Sequence, residues 1–174
     1  REELWALFHE MSGDRGEAIE SYGRAVSLDP GRSDYLQELA TLFALSRQWD
    51  DAAVWMERYI QTEPDAVSSS WELLGEYLRA GDREAEAEAA FEQALGLEPY
   101  SYLARLRLAE VFEGRGAFDA AIELLEFLSV YAVDRDAEIY TRLAYLYTQV
   151  GEVSQAQRVL DKGRRIFPTD TNIY

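Results

Sequence analysis

The sequence predicts an all-α fold, a solenoid of about five helix-turn-helix repeats. Three observations carry that expectation. Pro30, Pro64, Pro99 and Pro168 lie 34, 35 and 69 residues apart, so 69 spans two periods near 34. Small residues recur at fixed places inside each period, and large apolar residues recur at i, i+3 and i+4, the spacing of one buried helical stripe. Glycines fall between the two stripes of each period, at Gly13, Gly81, Gly116 and Gly151.

Taken in order, the repeats read about 1–32, 33–67, 68–101, 102–136 and 137–170, with 171–174 opening a further helix. The first keeps Ala18, Tyr22, Ala25 and Pro30, and its opening helix around Trp5 and Ala6 matches poorly. The second has Leu36, Leu39, Ala40 and Phe43, then Ala52, Met56, Tyr59 and Pro64. The third is clearest, with Trp71, Leu74, Gly75 and Leu78, then Ala87, Phe91, Ala94 and Pro99. In the fourth come Leu108, Ala109 and Phe112, then Ala121, Leu125 and Leu128, with Val133 in the place of proline. The fifth has Tyr140, Leu143, Ala144 and Tyr147, then Ala156, Leu160, Gly163 and Pro168. This joint pattern resembles the tetratricopeptide-repeat consensus over essentially the whole chain. The resemblance implies a right-handed superhelical solenoid.

Each position has a physical task. Gly75, Ala109 and Ala144 let the first helix of a pair approach the second, where Ala52, Ala87, Ala121 and Ala156 offer the opposing small surface. The turn glycines are expected at positive φ, where glycine meets no steric penalty. Prolines stop the second helix. Tyr59 and Leu128 stand where a small residue would seat the next repeat, so wider or twisted junctions are expected there. Gly81 lies one residue early and is expected to mark where the 35-residue interval is absorbed. The junction near Val133, without its proline, is expected to be the least defined and the place of a bend. Tyr174 falls in register with Trp71 and Tyr140, and Arg1 falls inside a helix, so the sequence reads as a segment of a longer array.

Composition narrows the function. The net charge is −16. Acidic residues outnumber basic ones 29 to 12 over the first four repeats and trail them 4 to 5 in the last. Nucleic-acid binding needs clustered Lys and Arg and is disfavoured. No apolar run is long enough to span a bilayer and none reads as a signal peptide. Cysteine is absent, which removes disulfides and thiolate metal sites and leaves cytoplasmic and exported locations both open. His9 is the single histidine, so multi-histidine metal sites are excluded, and it reads as a half-buried helix residue. Asp50–Asp51 and Glu2–Glu3 suit early helical turns, where carboxylates meet the helix dipole. Glu84, Glu86 and Glu88 alternate with alanine and spread around a helix as a solvated face. Gly-rich phosphate loops and calcium-loop spacing are missing. The reading is a non-catalytic chain with no cofactor.

The resemblance implies a working surface, because the first helices of tetratricopeptide repeats line a concave groove. By repeat position it nominates Gln37 and Thr41 in the second repeat, and Glu72, Glu76 and Arg79 in the third. Leu106, Arg107, Glu110 and Glu113 follow in the fourth, then Thr141, Arg142, Tyr145 and Gln149 in the fifth. The carboxylate clamp of chaperone-binding members is not matched: Gln37, Thr41, Glu72 and Glu76 stand where Lys and Asn would be wanted, and Arg107 and Arg142 are isolated. The acidic groove suggests a protein or peptide partner with Arg or Lys beside apolar anchors. The leading function is a protein-interaction scaffold. Competing readings are an accessory segment of a larger enzyme, and head-to-tail self-assembly of the acidic front onto Arg158, Arg164 and Arg165.

Overall fold

The structure, a computed structural model, describes residues 14–63, 66–170 and 173. The expectations for Trp5, His9, Gly13, Pro64 and Tyr174 lie outside the described residues. Among the described residues the fold is all-α, as the sequence predicts, with no strand. The helices are α1 (Arg15–Leu28), α2 (Ser33–Leu45), α3 (Trp49–Thr62), α4 (Ser68–Ala80), α5 (Glu84–Leu97), α6 (Tyr102–Gly114), α7 (Phe118–Tyr131), α8 (Glu138–Gln149) and α9 (Val153–Ile166). The chain divides into two compact units, Arg1–Leu97 and Glu98–Tyr174. In the first, α2 packs on α1 and α3, and α4 on α3 and α5. In the second, α7 packs on α6 and α8, and α8 on α9.

One turn chemistry joins the helices of four hairpins. The N–H groups of Gln48, Arg83, Ala117 and Glu152 donate to the carbonyls of Phe43, Leu78, Phe112 and Tyr147 at 2.9, 2.9, 2.8 and 2.7 Å. Arg47, Asp82, Gly116 and Gly151 donate to Ala44, Arg79, Glu113 and Thr148. That pair of bonds is the Schellman closure, which satisfies carbonyls the helix end leaves open. The same residues that end one helix start the next: the Gln48, Arg83, Ala117 and Glu152 carbonyls accept from Ala52, Ala87, Ala121 and Ala156.

The left-handed residue of each turn is Arg47 (φ 58°), Asp82 (φ 59°), Gly116 (φ 75°) or Gly151 (φ 84°). This corrects the expectation for Gly81, which sits one residue earlier at φ −92°. The third hairpin keeps the same turn as its neighbours and puts an aspartate in the strained place, so Gly81 absorbs no offset.

Packing follows the small-to-large complementarity read from the repeats. Ala52, Ala87 and Ala121 are fully buried. A Cβ added to Gly75 would lie 2.5 Å from the Phe91 ring, and one added to Gly163 would lie 2.8 Å from Tyr140 Cβ. The first core gathers Tyr22, Val26, Leu36 and Leu39 with partly buried Trp55 and Tyr59. In the second unit Leu125, Leu128, Leu143 and Leu146 form the centre of a core that Phe112 and Phe127 flank.

The junction that lacks a proline is held by side chains. Tyr140 Oη donates to the carbonyls of Val133 (2.9 Å) and Ser129 (3.3 Å), and Lys162 Nζ donates to the Ser129 carbonyl at 2.9 Å. Asp136 accepts from the Glu138 N–H and from Tyr102 Oη. These contacts join the segment to α6, α8 and α9 where the other repeats have proline. The two units divide after Leu97.

Candidate functional site

The nominated residues fall into two groups, one in each unit. In the first, α2 carries Gln37, which is exposed, and Thr41 one turn later. Thr41 Oγ1 donates to the Gln37 carbonyl at 3.0 Å and stands near enough to Tyr77 of α4 to influence its ionisation. Tyr77 is buried, and burial raises its pKa against the opposing influence of Thr41. Sequence reasoning did not single out Tyr77, whose signal would have been a phenol three residues beyond Leu74, on the buried stripe of the helix. On α4, Glu76 Oε2 and Arg79 Nη2 pair at 3.2 Å, and Glu72 stands one turn before them, partly buried.

The second group is more closely knit. Arg107 and Glu110 pair within α6 at 3.0 Å. Arg142 of α8 reaches both Glu110 (3.1 Å) and Glu113 (3.0 Å). Its side chain is only 16% exposed, and the two carboxylates are 23% and 22% exposed. Burial alone would lower the Arg142 pKa, but Glu113 and then Glu110 outweigh it and hold the guanidinium firmly charged. Arg107 and Arg142 are therefore not isolated: two arginines and two glutamates form one balanced network across adjacent helices. The acidity that composition assigned to this face is here neutralised from within.

Beside the network the face turns apolar and opens. Leu106 packs against the core, so it is a wall more than a free anchor. Tyr145 is 56% exposed and borders a cavity of about 340 Å³ with Thr141, Thr148, Leu160, Arg164 and Ile173. Arg164 Nε donates to the Ile173 carbonyl at 3.1 Å, tying together two of the residues that line that cavity. Gln149 is exposed near the end of α8. Thr148 and Ile173 were missed from sequence, and Arg164 was named there only for self-assembly, not for this face. Thr148 lies three residues after Tyr145 on the same helical face and was recoverable from spacing, whereas Arg164 and Ile173 arrive from other elements. Among the described residues no cluster of His, Asp or Glu is arranged to hold a metal ion, and no helix is long and apolar enough to cross a membrane.

The comparisons with known proteins agree with the repeat geometry. Tetratricopeptide repeat models match residues 11–67 and, separately, residues 78–135, together more than half of the chain. The chain belongs to the tetratricopeptide-repeat family. No curated protein sequence matches it. Its fold is similar to a crystal structure of MamA protein, with a TM-score of 0.84 and 19% identity over 98% of this chain and 92% of that one. MamA 41-end from Desulfovibrio magneticus RS-1 gives 0.78 at 12% identity, over 98% and 97%. YrrB, described as a TPR protein with an unusual peptide-binding site, gives 0.77 at 17% identity, over 97% and 85%. At these identities the likeness is one of fold, and within this tetratricopeptide chain the first helices α2, α4, α6 and α8 carry every nominated residue.

Proposed function

We propose that the chain is a non-catalytic protein-interaction scaffold that binds a partner segment on the first-helix face of its second unit. The observation that carries this reading is Tyr145, more than half exposed beside a cavity of about 340 Å³ and next to a charge-balanced Arg/Glu network. An exposed phenol at the mouth of an apolar recess suits an anchor side chain, since rigid aromatic contacts carry much of the energy of protein interfaces. YrrB shows that a chain of this fold can carry a peptide site, and that example supports the reading by analogy of fold.

The partner fits the description of a segment with an apolar anchor and a neighbouring Arg or Lys. A basic side chain competes with Arg142 for Glu110 and Glu113, while the net charge of −16 speeds its approach. A photo-crosslinking residue in place of Tyr145 tests the site in lysate of the source cells, with Val153 as a control position that is 64% exposed outside the face. A protein captured from position 145 and displaced by an Arg/Leu-containing peptide supports the reading. Capture from position 153 with none from 145 overturns it.

A further inference from the structure

The second helices of the carboxyl-terminal unit leave a groove of about 630 Å³ between α7 and α9, away from the residues just described. Its floor is Tyr140 and Leu143 of α8, each 1% exposed. Along the α7 wall stand Phe127, Val130 and Tyr131, and the last two are each 65% exposed. The wall is stiff. Phe127 and Tyr131 stack at 4.2 Å between centroids, Tyr100 meets Tyr131 edge-on at 5.6 Å, and the Arg105 guanidinium lies 3.6 Å from the Phe127 centroid. Exposed rings already held in place bind without the entropic cost of ordering them.

The charges along this groove are sorted by side. Glu123 and Glu126 line it from α7, and Arg158 and Lys162 line it from α9. No ion pair joins the two sides among the described residues. Glu126 accepts from Tyr147 Oη and Arg158 reaches Gln155 at 3.4 Å, while Lys162 crosses from α9 to donate to the Ser129 carbonyl of α7 at 2.9 Å, so the two walls are tied by one hydrogen bond and no ion pair.

We propose that this groove docks an amphipathic helix of a partner protein, its apolar stripe flanked by basic residues on one side and acidic residues on the other. The α7 wall from Glu123 to Tyr131 is about 12 Å long, two helical turns, which suits anchors at i, i+3 or i+4, and i+7. An apolar stripe meets Tyr131, Val130 and the half-buried Phe127. Basic flanking residues meet Glu123 and Glu126, and acidic ones meet Arg158 and Lys162, as flanking charges do in helical pairs. A helix with two like flanks places one of them against its own sign, so the groove selects mixed flanks. The site stands apart from the first-helix face, and its failure or success leaves the Tyr145 site untouched.

The test uses three synthetic helices of about 15 residues sharing one leucine stripe, with Lys/Glu, Lys/Lys or Glu/Glu flanks. Anisotropy titrations at physiological salt are expected to rank the Lys/Glu helix about tenfold tighter than the others. Glu123→Lys makes the groove mostly basic and is expected to move the preference to the Glu/Glu helix. Val130→Asp is expected to abolish binding of all three, and Tyr145→Ala to change none. The proposal is overturned if no helix binds, if the Lys/Lys helix is tightest, or if Glu123→Lys leaves the order unchanged. Helix binding that weakens as chain concentration and mass rise together would assign the groove to a second copy and overturn it equally.

Discussion

Gly75 and Phe91 are a fitted pair: a methyl group at position 75 would come within 2.5 Å of the phenyl ring. Phe91 is fully buried, so the ring has nowhere to retreat. Gly75→Ala is therefore expected to destabilise the chain by about 1–3 kcal/mol through overpacking, even though alanine is the better helix former by about 1 kcal/mol. Gly23 in α1 has nothing within 4 Å of its added Cβ, and Gly23→Ala is expected to stabilise by about 0.5–1 kcal/mol. Urea midpoints of the two variants decide the matter, and equal shifts would sink the steric account. Phe91→Leu should restore part of the loss in Gly75→Ala, as contacting positions couple.

The strained turns make a second prediction, with opposite signs at equivalent positions. Arg47 and Asp82 hold φ near 60° with side chains that disfavour it, whereas Gly116 and Gly151 meet the same demand without strain. Arg47→Gly and Asp82→Gly are each expected to raise stability by a few tenths to about 1 kcal/mol, and Gly116→Ala and Gly151→Ala to lower it by about 1 kcal/mol. Thermal melts of the four variants are sufficient. Destabilisation by Asp82→Gly would mean that the aspartate side chain contributes more than its backbone strain removes.

The contrast between these two cases shows what the sequence discloses. Gly75 was assigned its task from repeat position alone, because steric exclusion repeats wherever two helices cross at the same point. Gly81 was misassigned, because a glycine in a turn looks like the left-handed residue whether or not it is. Only hydrogen-bond register separates it from Asp82. The Arg142 network was half visible: its members were nominated as face residues, but the reach of Arg142 from α8 to α6 depends on helix docking. Tyr100, Phe127 and Tyr131 gave no readable signal, since an aromatic on a repeat protein is usually core and these rings stack in partial exposure.

Arg142 provides the third prediction. Its replacement by methionine keeps length and apolar contact while removing the charge that joins Glu110 to Glu113. Two partly buried carboxylates then lose a shared partner, although Arg107 retains Glu110. Arg142→Met is expected to cost about 1–3 kcal/mol, less than a fully buried pair because water reaches all three groups. Arg142→Met combined with Glu113→Gln should recover part of that loss by removing the carboxylate left behind. A double variant as unstable as the single one would show that Arg142 acts through packing and not through charge.

Tyr102 sets an alkaline limit to stability. Its hydroxyl donates to Asp136 at 3.0 Å, and burial followed by that carboxylate raises its pKa from the usual 10 to about 12. A phenol in the unfolded chain ionises near 10, so between the two values the folded chain keeps a proton that the unfolded chain has released. Its contribution is thus complete below about pH 10 and is lost as pH rises towards 12. Tyr77, Tyr140 and Tyr147 are raised in the same direction, chiefly by burial, and steepen the decline. Tyr102→Phe loses the Asp136 bond and is expected to be less stable at neutral pH, yet its stability should fall less steeply through the alkaline window. Chemical denaturation at a series of alkaline pH values, beside absorbance titration of the phenolates, measures both slopes. Parallel slopes for the variant and the parent chain would remove Tyr102 as the source of the alkaline loss.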